Sequence, residues 1–94
     1  MVGIQFEWDA QEANENLKKH RVSFDEAKTV FHDLMLISVI DEEHSVDEER
    51  YITVGMSGRG RLVLVAHTDR EGHVRIISAR KATRKEERFY AEAR

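Results

Sequence analysis

The sequence predicts a small α+β domain whose elements run βααββββα, a mainly antiparallel sheet packed by helices. Three observations predict it. One short alternating segment precedes two helix-capping signals. Four β-rich segments then follow, joined by short links that contain glycine. A charged helical segment closes the pattern. Ninety-four residues leave room for one domain, 1–94, built around one modest core.

Ile4, Phe6 and Trp8 alternate with Gln5 and Glu7, the period of a half-buried strand. Asp9 follows as a cap for a helix that runs to about His20, with Ala10, Ala13 and Leu17 along one side. Ser23 and Glu26 form an S-x-x-E capping box, which starts a second helix from Phe24 to about His32. Phe24, Ala27, Val30 and Phe31 are its inward side, and Val22 staples its entry. The strands are Met35–Ile40, Arg50–Ser57, Arg61–Thr68 and Val74–Ala79. Arg61–Thr68 is apolar almost throughout, as a central strand covered on both sides should be. Gly58-Arg59-Gly60 and Asp69–Gly72 supply the hairpin turns, and short links make the four strands an antiparallel meander. The last helix spans Lys81–Glu92 and buries Ala82, Phe89 and Tyr90.

Composition removes several functional classes. With no cysteine there is no disulfide, thiol nucleophile or cysteine-ligated metal. The five histidines lack HxxxH or HExxH spacing, so neither a metal site nor a cofactor is expected. The N-terminal segment has no basic flank followed by a long apolar run, so no signal peptide or membrane span is expected and the cytoplasm is the expected location.

Charge points to a polyanion. Up to residue 50 there are five Lys and Arg against thirteen Asp and Glu, a net of −8; beyond it there are ten against five, a net of +5. Such asymmetry fits either a polyanionic partner for the basic half or two surfaces that neutralise each other across the fold. Val74–Tyr90, VRIISARKATRKEERFY, concentrates the cations where a strand meets a helix. Arg61, Val63, Val65 and His67 share one face of their strand; Arg75, Ile77 and Ala79 share a face of the next. A meander can then bring several of the guanidiniums of Arg59, Arg61, Arg75 and Arg80 to one patch. Guanidinium binds phosphate oxygens in pairs and stays charged, which suits it to the phosphorane of RNA cleavage. Metal-free cleavage also needs proton transfer, for which His44, Glu48, Glu49, His67, Glu86 and Tyr90 are the candidates. For Arg84, Lys85 and Arg88, a salt-bridged solvent face with Glu86 and Glu87 is the competing reading.

Four segments carry a resemblance: FEWD at Phe6–Asp9, KKHRVSFDEAKTVF at Lys18–Phe31, DEEHSVDEERYITVG at Asp41–Gly55 and RIISARKATRKEERFY at Arg75–Tyr90. In order and spacing the chain resembles the BrnT family of type II toxin–antitoxin toxins. The resemblance implies a RelE-like fold and a ribonuclease that cleaves RNA without a metal and inhibits translation. It implies a BrnA-like ribbon-helix-helix antitoxin as partner, operator DNA reached only through that antitoxin, and a homodimer of this chain within the complex. Its motif positions fall on His44, Glu49 and Arg50, on Ser78, Arg80 and Lys81, and on Arg61. Family members commonly carry glycine where this chain has Arg21, a departure that bears on a helix C-cap.

The expected roles follow. Arg61 and Arg80 bind the scissile phosphate, and His44 or Glu49 is the general base. Arg59, Lys81, Arg84 and Lys85 track the RNA backbone, while Arg50 and Arg88 face the protein partner. The alternative is a non-catalytic module that only forms a complex with a DNA-binding antitoxin-like protein.

Overall fold

A computed structural model describes residues 3–93. Its elements are β1 (Gln5–Glu7), α1 (Ala10–His20), α2 (Phe24–Thr29), β2 (Ile37–Ile40), β3 (Arg50–Met56), β4 (Leu62–Arg70), β5 (His73–Lys81) and α3 (Arg84–Glu92). Single 3-10 turns at Val30–His32 and Glu42–His44 flank β2. The expected βααββββα order holds. The sheet order is β1-β5-β4-β3-β2: strands β2 to β5 form the antiparallel meander, and β1 adds in parallel to the outer side of β5. No helix among the described residues is long and apolar enough to cross a membrane.

Local chemistry explains most of the elements. The Asp9 carboxylate accepts the Glu12 amide at 2.9 Å and starts α1, which ends at Arg21 in the left-handed region with φ 60°. The residue that departs from glycine is therefore the one that takes the C-cap. Ser23 Oγ accepts the Glu26 amide at 3.0 Å and starts α2. The return half of that expected capping box is missing, because Glu26 is buried and its carboxylate is bound elsewhere. The complete capping box belongs to α3, between Thr83 and Glu86. It moves the helix start from the expected Lys81 to Arg84, and β5 instead runs on through Lys81. Between β4 and β5, Glu71 and Gly72 both have positive φ (51° and 84°), the geometry of a two-residue turn matched to strand twist.

The main core lies on one face of the sheet, where Val22, Phe24, Ala27 and Val30 meet Val63, Val65, Ile76 and Ala79. Phe6 packs on Phe31 with centroids 5.3 Å apart, and Trp8 meets Phe24 edge-on at 5.9 Å. Gly55 lies under this layer, where an added Cβ would fall 2.8 Å from Val30 Cγ1. The opposite face is covered only in part, by Tyr90 of α3 over Val54 and Leu64. Phe89, expected inside, is 52% exposed, while Tyr90 is 6% exposed. The i, i+4 positions Glu86 and Tyr90 face the sheet, and Phe89 is turned off that line. In α1 the buried residue is Asn16, not Leu17. Its amide donates to Ala79 O at 2.8 Å and accepts from Ala79 N at 3.1 Å, standing in for a neighbouring strand at the edge of β5.

One irregularity decides where charges go. Ala66 pairs with Ser78, but His67 pairs with Ile76, which leaves Ile77 unpaired as a bulge. The bulge reverses side-chain parity along β5. Ile76, not Ile77, enters the core, and Arg75 lies on the face opposite Ala79. The expected shared face of Arg75, Ile77 and Ala79 is thereby broken.

Candidate functional site

Parity places Arg50, Thr68, Arg75 and Arg80 on the partly covered face. Arg50 opens β3 and pairs with Thr68 near the end of β4, and Thr68 in turn pairs with Arg75 of β5. The segment 41–49 folds beside this row. An open cavity of 390 Å³ results, lined by Glu12, His44, Val46, Asp47, Glu48, Arg50, Thr68, Arg70, Arg75 and Ile77.

The loop that carries His44 is fastened to Arg50. Asp41 N donates to Arg50 O at 2.7 Å, Ser45 Oγ donates to Asp41 O at 2.6 Å, and Arg50 N donates to Ser45 Oγ at 2.9 Å. His44 Nδ1 lies 2.8 Å from Asp41 Oδ2. A carboxylate only accepts, so Nδ1 carries the hydrogen and the neutral ring keeps its lone pair on Nε2. An imidazole in that tautomer, held at a cavity rim, can take a proton from a bound hydroxyl.

The cations around it differ in their commitments. Arg70 binds Glu48 (2.9 Å), and Arg75 binds Glu7 (3.0 Å), which also meets His73 (3.3 Å). Hydrogen bonds from these guanidiniums hold both glutamates below the usual carboxylate range. Arg50 is half-buried, and its Nε is buried without a hydrogen-bond partner among the described residues. Thr68 Oγ1 is in the same condition.

The other expected site residues are dispersed. Arg61 makes a two-pronged ion pair with the buried Glu26 (2.6 and 2.7 Å) and donates to Arg21 O at 2.8 Å. Ser57 also donates to Glu26, at 2.7 Å. This cluster lies at the hairpin end of β4, roughly 20 Å along the sheet from Arg50. Arg80 makes a two-pronged pair with Glu86 (2.8 and 2.9 Å), about 13 Å from the Arg50–Thr68 row by strand rise. Arg61 faces α2 and Arg80 faces α3, so the two do not close on one phosphate; strand parity separates them. Glu49 meets Tyr51 (3.3 Å), whose ring stacks on His67 on the core side, and it is Glu48 that reaches the cavity. Arg59 is exposed at the β3–β4 turn, and Lys81, Arg84, Lys85 and Arg88 are exposed at or on α3. His67 is buried against Thr53 (2.7 Å) and burial pushes its imidazole below the ordinary histidine value; Tyr90 donates to Asp33.

Thr68, Arg70 and Asp41 escaped the sequence reading as site residues. Arg75 was among the guanidiniums expected to gather, but without a role, and its face depends on a bulge. Thr68 looked like one more strand residue until its cross-strand partner was known. Among the described residues, no three His, Asp or Glu side chains gather as a metal site.

Comparison with known proteins gives a family and a fold. Residues 8–86 match the family described as "Ribonuclease toxin, BrnT, of type II toxin-antitoxin system". The 1.1 Å crystal structure of the Brucella abortus ribonuclease toxin, BrnT, is similar with a TM-score of 0.63 at 15% identity, over 87% of this chain and 100% of that one. No curated protein matches.

Proposed function

The chain belongs to the BrnT family of ribonuclease toxins of type II toxin–antitoxin systems, and we propose that it is a metal-independent endoribonuclease whose chemistry takes place in the cavity between His44 and Arg50. The observation that carries this reading is the pairing of an Asp41-oriented imidazole with a half-buried guanidinium that makes no ion pair among the described residues. His44 Nε2 takes the proton of an RNA 2′-hydroxyl. The 2′-oxygen bonds to phosphorus, the bond to the 5′-oxygen breaks, and water in the open cavity protonates the leaving oxygen. Arg50 and Arg75 face the charge that builds on the phosphorane oxygens. Arg80, on the same face, meets a neighbouring phosphate, with Arg59, Lys81, Arg84 and Lys85 as further backbone contacts. Arg61 serves the fold through Glu26. Glu48, held ionised by Arg70, is not the acid.

The consequence for the cell is inhibited translation, in the cytoplasm, until an antitoxin binds. That antitoxin is of the ribbon-helix-helix type and carries the operator contact, with two toxin chains in the complex; Arg88 on α3 faces it.

Purified protein incubated with RNA in excess EDTA tests the central claim. Wild type is expected to cleave, and a folded His44→Gln variant to lose about a hundredfold or more in rate. Cleavage at the wild-type rate by that variant removes His44 from the mechanism. Loss of wild-type cleavage in EDTA, restored by a divalent cation, removes the metal independence.

A further inference from the structure

We propose that Arg50 Nε and the Thr68 hydroxyl together form a donor pair for one oxygen of a phosphate ester, a binding subsite that acts before any proton moves. Thr68 is 4% exposed and its Oγ1 has no partner among the described residues; Arg50 Nε is buried in the same condition. The two residues are directly opposed across β3 and β4, which puts their Cβ atoms about 5 Å apart. Both line the same cavity. Buried polar atoms are nearly always paired, so two orphans on opposed residues that line one cavity mark the place of an absent acceptor.

Among the described half-buried arginines, the lack of a carboxylate is particular to this position. Arg61, Arg75 and Arg80 are also half-buried, and each holds a glutamate: Glu26, Glu7 and Glu86. Arg50 holds none. Of the acidic residues that line the cavity, Glu48 is committed to Arg70, while Glu12 and Asp47 are exposed. The acceptor is therefore an incoming anion. A guanidinium edge beside a hydroxyl fits a tetrahedral phosphate oxygen, and a cavity of 390 Å³ admits a nucleotide. The subsite deepens the ribonuclease reading and depends on it only for which ester is bound.

Titration calorimetry with adenosine 3′-monophosphate tests the subsite on the full chain. Thr68→Val keeps the shape and deletes the hydroxyl; it is expected to weaken binding about tenfold, and Thr68→Ser to restore most of the loss. Thr68→Val should melt no lower than wild type, because it removes an unpaired buried hydroxyl, so lost binding will not reflect lost folding. Arg50→Lys keeps the charge without Nε and should weaken binding to a similar degree. Unchanged affinity in Thr68→Val, or no binding by wild type at millimolar nucleotide, overturns the proposal. If binding follows this pattern but wild type cleaves no RNA, the subsite stands and the ribonuclease reading falls. If wild type cleaves RNA and Thr68→Val binds and cleaves equally well, the subsite falls alone.

Discussion

Glu26 carries a full charge in the interior, and only its partners make that tolerable. Arg61 supplies two hydrogen bonds and Ser57 a third. Burial alone would raise its pKa, yet the Arg61 hydrogen bonds outweigh burial and hold the carboxyl below its ordinary value of 4.5. A depressed folded-state pKa adds stability that is present above the unfolded value and is lost as pH falls through the folded one. Glu26→Gln is therefore expected to lower the unfolding free energy at pH 7 by about 2–3 kcal/mol, since Arg61 is left half-buried without its counter-charge. The same variant should show a shallower loss of stability below pH 4.5 than wild type in urea titrations. A variant as stable as wild type at pH 7 would mean the pair adds nothing beyond its desolvation cost.

Element boundaries here are set by caps, and one cap is under strain. Arg21 adopts φ 60° to donate its amide to Leu17 O and end α1. A left-handed non-glycine residue costs about 1–2 kcal/mol, while glycine's added freedom in the unfolded chain takes back about 0.5–1 kcal/mol. Strain is the larger quantity, so Arg21→Gly should stabilise the fold by about 0.5 kcal/mol, seen as a small rise in melting temperature. The Arg61 contact to Arg21 is to its carbonyl and survives the change. A fall in melting temperature would mean the Arg21 side chain packs more than it strains. At α3, Glu86 accepts from Thr83 N and also binds Arg80, so the helix start and the end of β5 are joined by one carboxylate. A capping box was legible as a pattern at Ser23–Glu26, where the chain uses only half of it. At Thr83–Glu86 the same T-x-x-E spacing stands among basic residues, and there both halves form.

Across the whole molecule, part of the contrast between an acidic first half and a basic second half is spent within the fold. Glu7–Arg75, Glu26–Arg61 and Glu48–Arg70 each join the two halves. Both readings of the asymmetry thus have a place: internal neutralisation takes most of the arginines in the sheet, and Arg50 remains for an anion. The salt dependence of RNA binding should reflect this. Each phosphate contact adds about −0.7 to the slope of log affinity against log salt for a single strand, so Arg50 with the exposed Arg59, Lys81, Arg84 and Lys85 gives roughly −3.5, while the ten cations of the second half, all free, would give about −7. Filter binding of single-stranded RNA to His44→Gln between 50 and 300 mM salt measures it, and a slope near −7 would show that the internal pairs open on binding.

Secondary structure, element order, the central place of β4 and the family were all readable from the chain, because hydrophobic period, capping residues, turn glycines and short motifs act over a few neighbours. His44 and Arg50 were singled out through the motif, His44 as one of two candidate bases and Arg50 as a residue facing the protein partner. The assembly of the site was not readable. Which cations meet depends on cross-strand register, on the single-residue bulge at Ile77 that reverses parity, and on glutamates as far as 68 residues away that claim three of the four half-buried arginines. These are non-local pairings, decided only when the sheet closes, and they leave Arg50 and Thr68 as the pair still waiting for a partner.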